Sequence, residues 1–130
     1  MEKELKKLSA KFYEVIEHEG VVSVTSWGDG EPHVANTWNS YLVVTDDERI
    51  LIPAAGFRKT QRNVEVNSKV KITLGSKEVI GYRDYQGCGF YIEGTARYLE
   101  SGADFDLMKE KFSFLSRVLE VSVTLAKQTI

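Results

Sequence analysis

Two turn signals, Gly28-Asp29-Gly30 and Asp46-Asp47, separate three short, β-branched segments early in the chain. Turns this short join only antiparallel neighbours, because a parallel pair needs a crossover of about a dozen residues. The segments Val21–Trp27, 32–45 and Arg49–Pro53 are read as a three-stranded meander. Further strands are expected at Lys69–Leu74, Phe90–Tyr98 and Val118–Ala126. The spacing of Leu5, Leu8, Phe12, Val15 and Ile16 predicts a helix over residues 2–18, stopped by Gly20. Residues 58–66 read as a short second helix, and 102–113 as a third with Ser101 as its cap. Ser76–Gly89 holds three glycines and mixed charges, and reads as strand fragments around a mobile loop. Helices and strands do not alternate regularly, which disfavours a doubly wound parallel sheet. The expectation is a mainly β, largely antiparallel small barrel, closed or split, with helices at its ends. At 130 residues one domain is expected, covering 1–130.

Composition narrows the function classes. The net charge is −2 and the isoelectric point near 5.7, unlike the basic excess of a dedicated nucleic-acid binder. No apolar run approaches the roughly 18 residues needed to span a bilayer, and Met1-Glu2-Lys3-Glu4 has no apolar signal core. The single cysteine, Cys88, forbids an internal disulfide, and a cytoplasmic location is expected. The sequence has no GxGxxG, GxxxxGK[ST], CxxC or HExxH motif. His18 and His33 read as residues of a helix end and a strand start. Cys88 has no neighbour in sequence that would activate a thiol. No catalytic residue and no metal site are assigned.

Arg58-Lys59-Thr60 follows the small-residue turn Ala54-Ala55-Gly56 and opens the second helix. A helix start presents unpaired N–H groups and the positive end of its dipole, so anions bind there. Two cations and a hydroxyl at that point suit a phosphate monoester, although a solvated basic helix start has the same pattern. Asn36-Thr37-Trp38-Asn39-Ser40-Tyr41 is unusually rich in amides and hydroxyls for a strand. Its polar groups could read the edge of a planar heterocycle, with Trp38 or Tyr41 on the face; an exposed edge strand is the alternative. Trp38 and Tyr41 fall on opposite sides of a regular strand unless the strand bulges. Leu74-Gly75-Ser76 is a weaker signal at a strand end. Gln128-Thr129-Ile130 reads either as a frayed tail or as a dimer contact.

These stretches together resemble the pyridoxamine 5′-phosphate oxidase-like, FMN-binding split barrels. The resemblance runs over Glu19-Gly20-Val21-Val22, Pro32 to Leu42, Lys59-Thr60 with Asn63-Val64, Thr73 to Ser76, Gly87 to Phe90, and Gln128-Thr129-Ile130. It implies a six-stranded, largely antiparallel split β-barrel acting as a homodimer, with non-covalent FMN near the interface. It further implies that Asn36, Thr37, Trp38 and Asn39 run along the isoalloxazine, and that Ala54, Ala55 and Gly56 meet it through backbone groups. Lys59 and Thr60, with Arg58 assisting, would hold the phosphate. Gly75 and Ser76 would help close the site, and the partner chain's C-terminus, ending at Ile130, would cover the ring. Ala55-Gly56 stands where the family has two glycines, and Phe114 where a tryptophan is expected. The C-terminal arginine and histidine segment of the true oxidases has no counterpart, so vitamin B6 oxidation is not expected.

The resulting expectation is a redox flavoprotein: an electron carrier or a flavin reductase, served by a redox partner protein or a nicotinamide donor. Loop 77–88 would then gate the site or dock a partner, or simply be solvated. The alternative is a non-flavin ligand-binding or interaction protein on the same barrel, holding haem through His33 or a deazaflavin.

Overall fold

The computed structural model describes residues 6–130. The elements in chain order are α1 (Ala10–Ile16), β1 (Val21–Ser26), β2 (His33–Trp38), β3 (Val43–Val44), β4 (Arg49–Ala54), α2 (Arg58–Val66), β5 (Lys69–Ile80), β6 (Gln86–Leu99), α3 (Ala103–Lys111) and β7 (Arg117–Gln128). All strands join one sheet in the order β2-β1-β5-β6-β7-β4-β3, with every pair antiparallel.

The connectivity forces this sheet to curl. A flat seven-stranded sheet would hold its edge strands about 29 Å apart. Here the edges are β2 and β3, and only residues 39–42 lie between them. Five residue steps reach at most about 18 Å when fully extended, and part of this link is a 3₁₀ turn. The edges must therefore approach each other, which makes the sheet a half-barrel, the split form of the expected fold.

The curl encloses the core. Val22 and Val24 of β1, Ile72 and Leu74 of β5, Phe90 and Ile92 of β6, and Leu119 and Val121 of β7 alternate inward, and Phe12 and Val15 of α1 pack with them. β4 is apolar at consecutive positions because both its faces are covered. Ile50 and Ile52 point into the barrel, while Leu51 packs with Met108, Leu115 and Val118 under α3.

Several expectations need correcting. The meander forms as two separate hairpins, β1 with β2 at one edge of the sheet and β3 with β4 at the other. The 32–45 strand is broken at Asn39–Tyr41 by a 3₁₀ turn, pinned where the Asn39 N–H donates to the Gly20 carbonyl at 2.9 Å. That break creates the short β3, so the sheet has seven strands among the described residues rather than six. Ser76–Gly89 is not a loop with strand fragments. β5 and β6 continue through it as a long hairpin, with a register slip between Ser76 and Ile80 and a tight turn closed by Gly81 N–H to the Tyr85 carbonyl at 2.8 Å. At α3, Gly102 (φ 105°) takes the cap position instead of Ser101, and no side chain caps that end. No helix among the described residues is long and apolar enough to cross a membrane.

α1 begins at Ala10, where Ser9 caps the Phe12 N–H at 3.2 Å. Residues 2–5 of the expected helix lie outside the described residues. The N–H groups of Lys7 and Leu8 are already engaged, donating to the Glu48 carboxylate at 3.0 and 2.6 Å, which holds this segment out of the helix. Burial acts to raise the Glu48 pKa, but these two donors, aided by the charges of Lys6 and Lys7, hold it below the usual value. A depressed carboxylate stabilises the fold fully above its unfolded pKa, near 4.5, and that contribution is lost as pH falls through the lower folded value. Glu48→Gln should therefore flatten the fall in melting temperature between pH 5 and pH 3. Parallel curves for variant and parent would rule this role out.

Candidate functional site

Three groups of residues marked in the sequence stand on the barrel: the turn into α2, the β2 block, which packs against α2 and leads into Asn39, and Gly75-Ser76 with Ile130. The first group is the turn that leads from β4 into α2. Ala54 is buried and pairs with Arg117 across the β4–β7 ladder. Ala55 and Gly56 are exposed, and nothing lies within 4 Å of where a Gly56 Cβ would stand. Phe57 then takes a left-handed conformation (φ 61°, ψ 32°), which is unfavourable for a residue with a Cβ. Side chains from two other strands hold it there. The Tyr98 hydroxyl donates to the Phe57 carbonyl at 3.1 Å, and the Arg117 guanidinium donates to the Gly56 carbonyl at 2.6 Å and to that of Ala55 at 3.3 Å.

Arg58 and Lys59 are exposed in the first turn of α2, and the helix is fixed from behind by buried Val64 and by Asn63, whose amide donates to the Ser26 hydroxyl at 3.1 Å. Thr60 is fully buried, and its hydroxyl has no hydrogen-bond partner. A cationic helix start, open space at Gly56 and an unsatisfied hydroxyl are the features an anionic oxygen ligand would complete. Burial pushes the Tyr98 phenol well above its ordinary pKa, opposed by the charges of Arg117 and Arg58, so the phenol stays a donor.

β2 divides the second marked block between two faces. Asn36 and Trp38 point outward, Trp38 with 46% of its surface exposed, while Thr37 is buried. Asn39 is also buried. Its amide nitrogen lies within hydrogen-bond distance of the His18, Gly75 and Val15 carbonyls at 2.9, 3.1 and 3.4 Å, tying the end of α1 to β5. Tyr41 packs against Phe112 and Phe114, with ring centroids 5.4 and 5.5 Å away. Trp38 is thus the aromatic of the pair left open for stacking.

Gly75, Ser76 and Ile130 come together around a cavity of about 470 Å³, with Glu19, Gly20 and Cys88 also on its wall. The Ser40 hydroxyl and N–H donate to the Glu19 carboxylate and hold its pKa below the usual range. Burial raises the Cys88 thiol, which fits an inert core cysteine. The C-terminus is not frayed. The Thr129 N–H donates to the Gly89 carbonyl at 2.8 Å, and the Ile130 side chain remains 48% exposed.

Arg117, Tyr98 and Glu19 join these groups without having been marked by the sequence. Arg117 and Tyr98 sit in ordinary strand patterns, and their target carbonyls are 61 and 41 positions away. Only the resemblance touched Glu19, as part of a matching stretch.

The profile of the pyridoxamine 5′-phosphate oxidase family matches residues 8–129. A curated relative, the FMN-binding protein of Nitratidesulfovibrio vulgaris, is 41% identical over 123 residues, covering 95% of this chain and 99% of its own. Among solved structures, a HupZ protein of Group A Streptococcus has a TM-score of 0.75 at 16% identity, covering 94% of this chain and 99% of its own. An FMN-binding protein from Syntrophomonas wolfei has a TM-score of 0.68 at 19% identity, covering 96% of this chain and 84% of its own. The solved structures agree on the barrel, and the profile match over nearly all of the described residues, together with the curated relative, carries the assignment: the chain belongs to the pyridoxamine 5′-phosphate oxidase family.

Proposed function

We propose that this chain is a flavoprotein that holds FMN non-covalently and works in electron transfer or as a flavin reductase. The observation that carries the reading is the first turn of α2. Exposed Arg58 and Lys59 stand beside an open glycine and over an unsatisfied Thr60 hydroxyl, a set suited to a phosphate monoester. The 41% identical relative, itself named an FMN-binding protein, supports the same choice. Bound FMN would supply the redox chemistry through its ring.

The chain's residues would bind, orient and shield. Lys59 and Arg58 bind the phosphate, with Thr60 completing the turn. Ala54, Ala55 and Gly56 let a flat ring come close, and Asn36 and Trp38, which share the open face of β2, present an amide and an indole to it. Asn39 would act indirectly, by fixing the end of β2 against β5. A homodimer is part of the proposal, with Ile130 of each chain reaching the other's flavin, and a redox partner protein or a nicotinamide as the electron donor or acceptor.

The test is a visible spectrum of the purified protein, followed by mass analysis of the acid-released group. Two flavin bands and one FMN per chain are expected. FAD, haem or a deazaflavin in its place, or a colourless protein that takes up no added FMN, would overturn the assignment. Removing residues 128–130 should also loosen the flavin or the dimer. Unchanged flavin affinity and unchanged sedimentation would remove the tail from the site.

A further inference from the structure

We propose that Arg117 is a positioning residue for phosphate recognition, acting from behind the 55–57 turn; this rests on the flavin reading above. Arg117 is only 3% exposed, and no carboxylate among the described residues forms an ion pair with it. Its guanidinium lies over the Tyr98 ring, 5.4 Å from the centroid, and donates to the Gly56 and Ala55 carbonyls, while its Nε is buried without a partner. A buried cation met only by carbonyls and a ring face is costly to keep, and an anion nearby relieves that cost.

The geometry says where that anion belongs. The peptides are trans, so each unit's N–H points opposite its C=O. With the Ala55 and Gly56 carbonyls turned to Arg117, the N–H groups of Gly56 and Phe57 face away from it. The Phe57 carbonyl accepts from the Tyr98 hydroxyl and from the Gln61 N–H of α2, which together orient the N–H of Arg58 in the same manner. Left-handed Phe57 followed by helical Arg58 makes these successive N–H groups an anion-binding concavity. Hydrogen bonds to the carbonyl side polarise the same peptides and strengthen their N–H donors. The strain at Phe57 is thus fixed by two residues from strands that the ligand need not touch.

Arg117→Met keeps an unbranched stem, two atoms shorter than that of arginine, and removes the charge and the donors. The FMN dissociation constant should rise roughly tenfold to a hundredfold. That of riboflavin, which lacks the phosphate, should change by less than about threefold, because Arg117 acts through the turn's N–H groups, which are offered to the phosphate. Arg117→Lys should recover part of the loss. Equal weakening of both flavins would mean a merely structural role, and unchanged FMN binding would mean none; either result overturns the proposal. If Arg117→Met does not fold, Tyr98→Phe removes only the bond to Phe57 and should still weaken FMN selectively; no selective loss there overturns it too. A parent protein that binds neither flavin would instead remove the flavin reading. Thermal stabilisation of the parent by inorganic phosphate, lost in Arg117→Met or Tyr98→Phe, would then support the turn as an anion site, and no stabilisation of the parent would overturn it.

Discussion

Gly20→Ala should lower the melting temperature by about 10 °C or more, as expected for a loss of about 3 kcal/mol in a domain of this size. The Cβ of an alanine there would stand 1.9 Å from the Gly75 carbonyl oxygen and 2.8 Å from the Asn39 amide nitrogen. Both neighbours are held in place. Gly75 belongs to β5, which pairs with β1 from Val22↔Leu74 onward, and Asn39 is tied to three carbonyls. Neither can retreat as the end of a flexible side chain could, so β1 and β5 must separate where the chain enters the sheet. Gly56→Ala is the matched control, since its Cβ would meet nothing within 4 Å and its φ is not positive. It should leave the melting temperature within about 2 °C, in line with the small effect of an unstrained glycine replacement. Equal melting temperatures for the two variants would mean that the Gly20–Gly75 approach does not constrain the sheet.

Lys59→Ala should weaken FMN binding about tenfold to a hundredfold, the worth of one charge-assisted contact to a phosphate of about 1.5–3 kcal/mol. Lys59 is exposed on a helix that Val64 and Asn63 anchor, so removing its side chain should leave the fold intact. The loss should shrink as salt rises, because an exposed cation is screened. Titration by quenching of flavin fluorescence reads both effects. Unchanged affinity at low salt would take Lys59 out of the phosphate site and leave Arg58 and the backbone to hold it.

Much of the fold was legible because its signals are local. The α2 boundaries, Arg58–Val66, fall where helical spacing and the preceding small residues put them. The antiparallel class followed from turns too short for a crossover. Three of the misreadings share one cause: each needed a distant partner. The break at Asn39 depends on the Gly20 carbonyl, the late start of α1 on Glu48, and the continuity of the β5–β6 hairpin on pairing that overrides its glycines and charges.

The candidate site divides in the same way. By itself the sequence determined that a cationic helix start follows small residues and that an amide-rich aromatic strand accompanies it, since residue type and spacing suffice for both. Only the tertiary structure decided which of those side chains remain free. Asn36 and Trp38 face outward, Asn39 serves the fold, and Tyr41 is taken up by Phe112 and Phe114. It alone placed Arg117 and Tyr98 behind the turn. Hydrogen bonds reaching 41 and 61 positions along the chain exist only once the sheet has curled, and no local pattern encodes them.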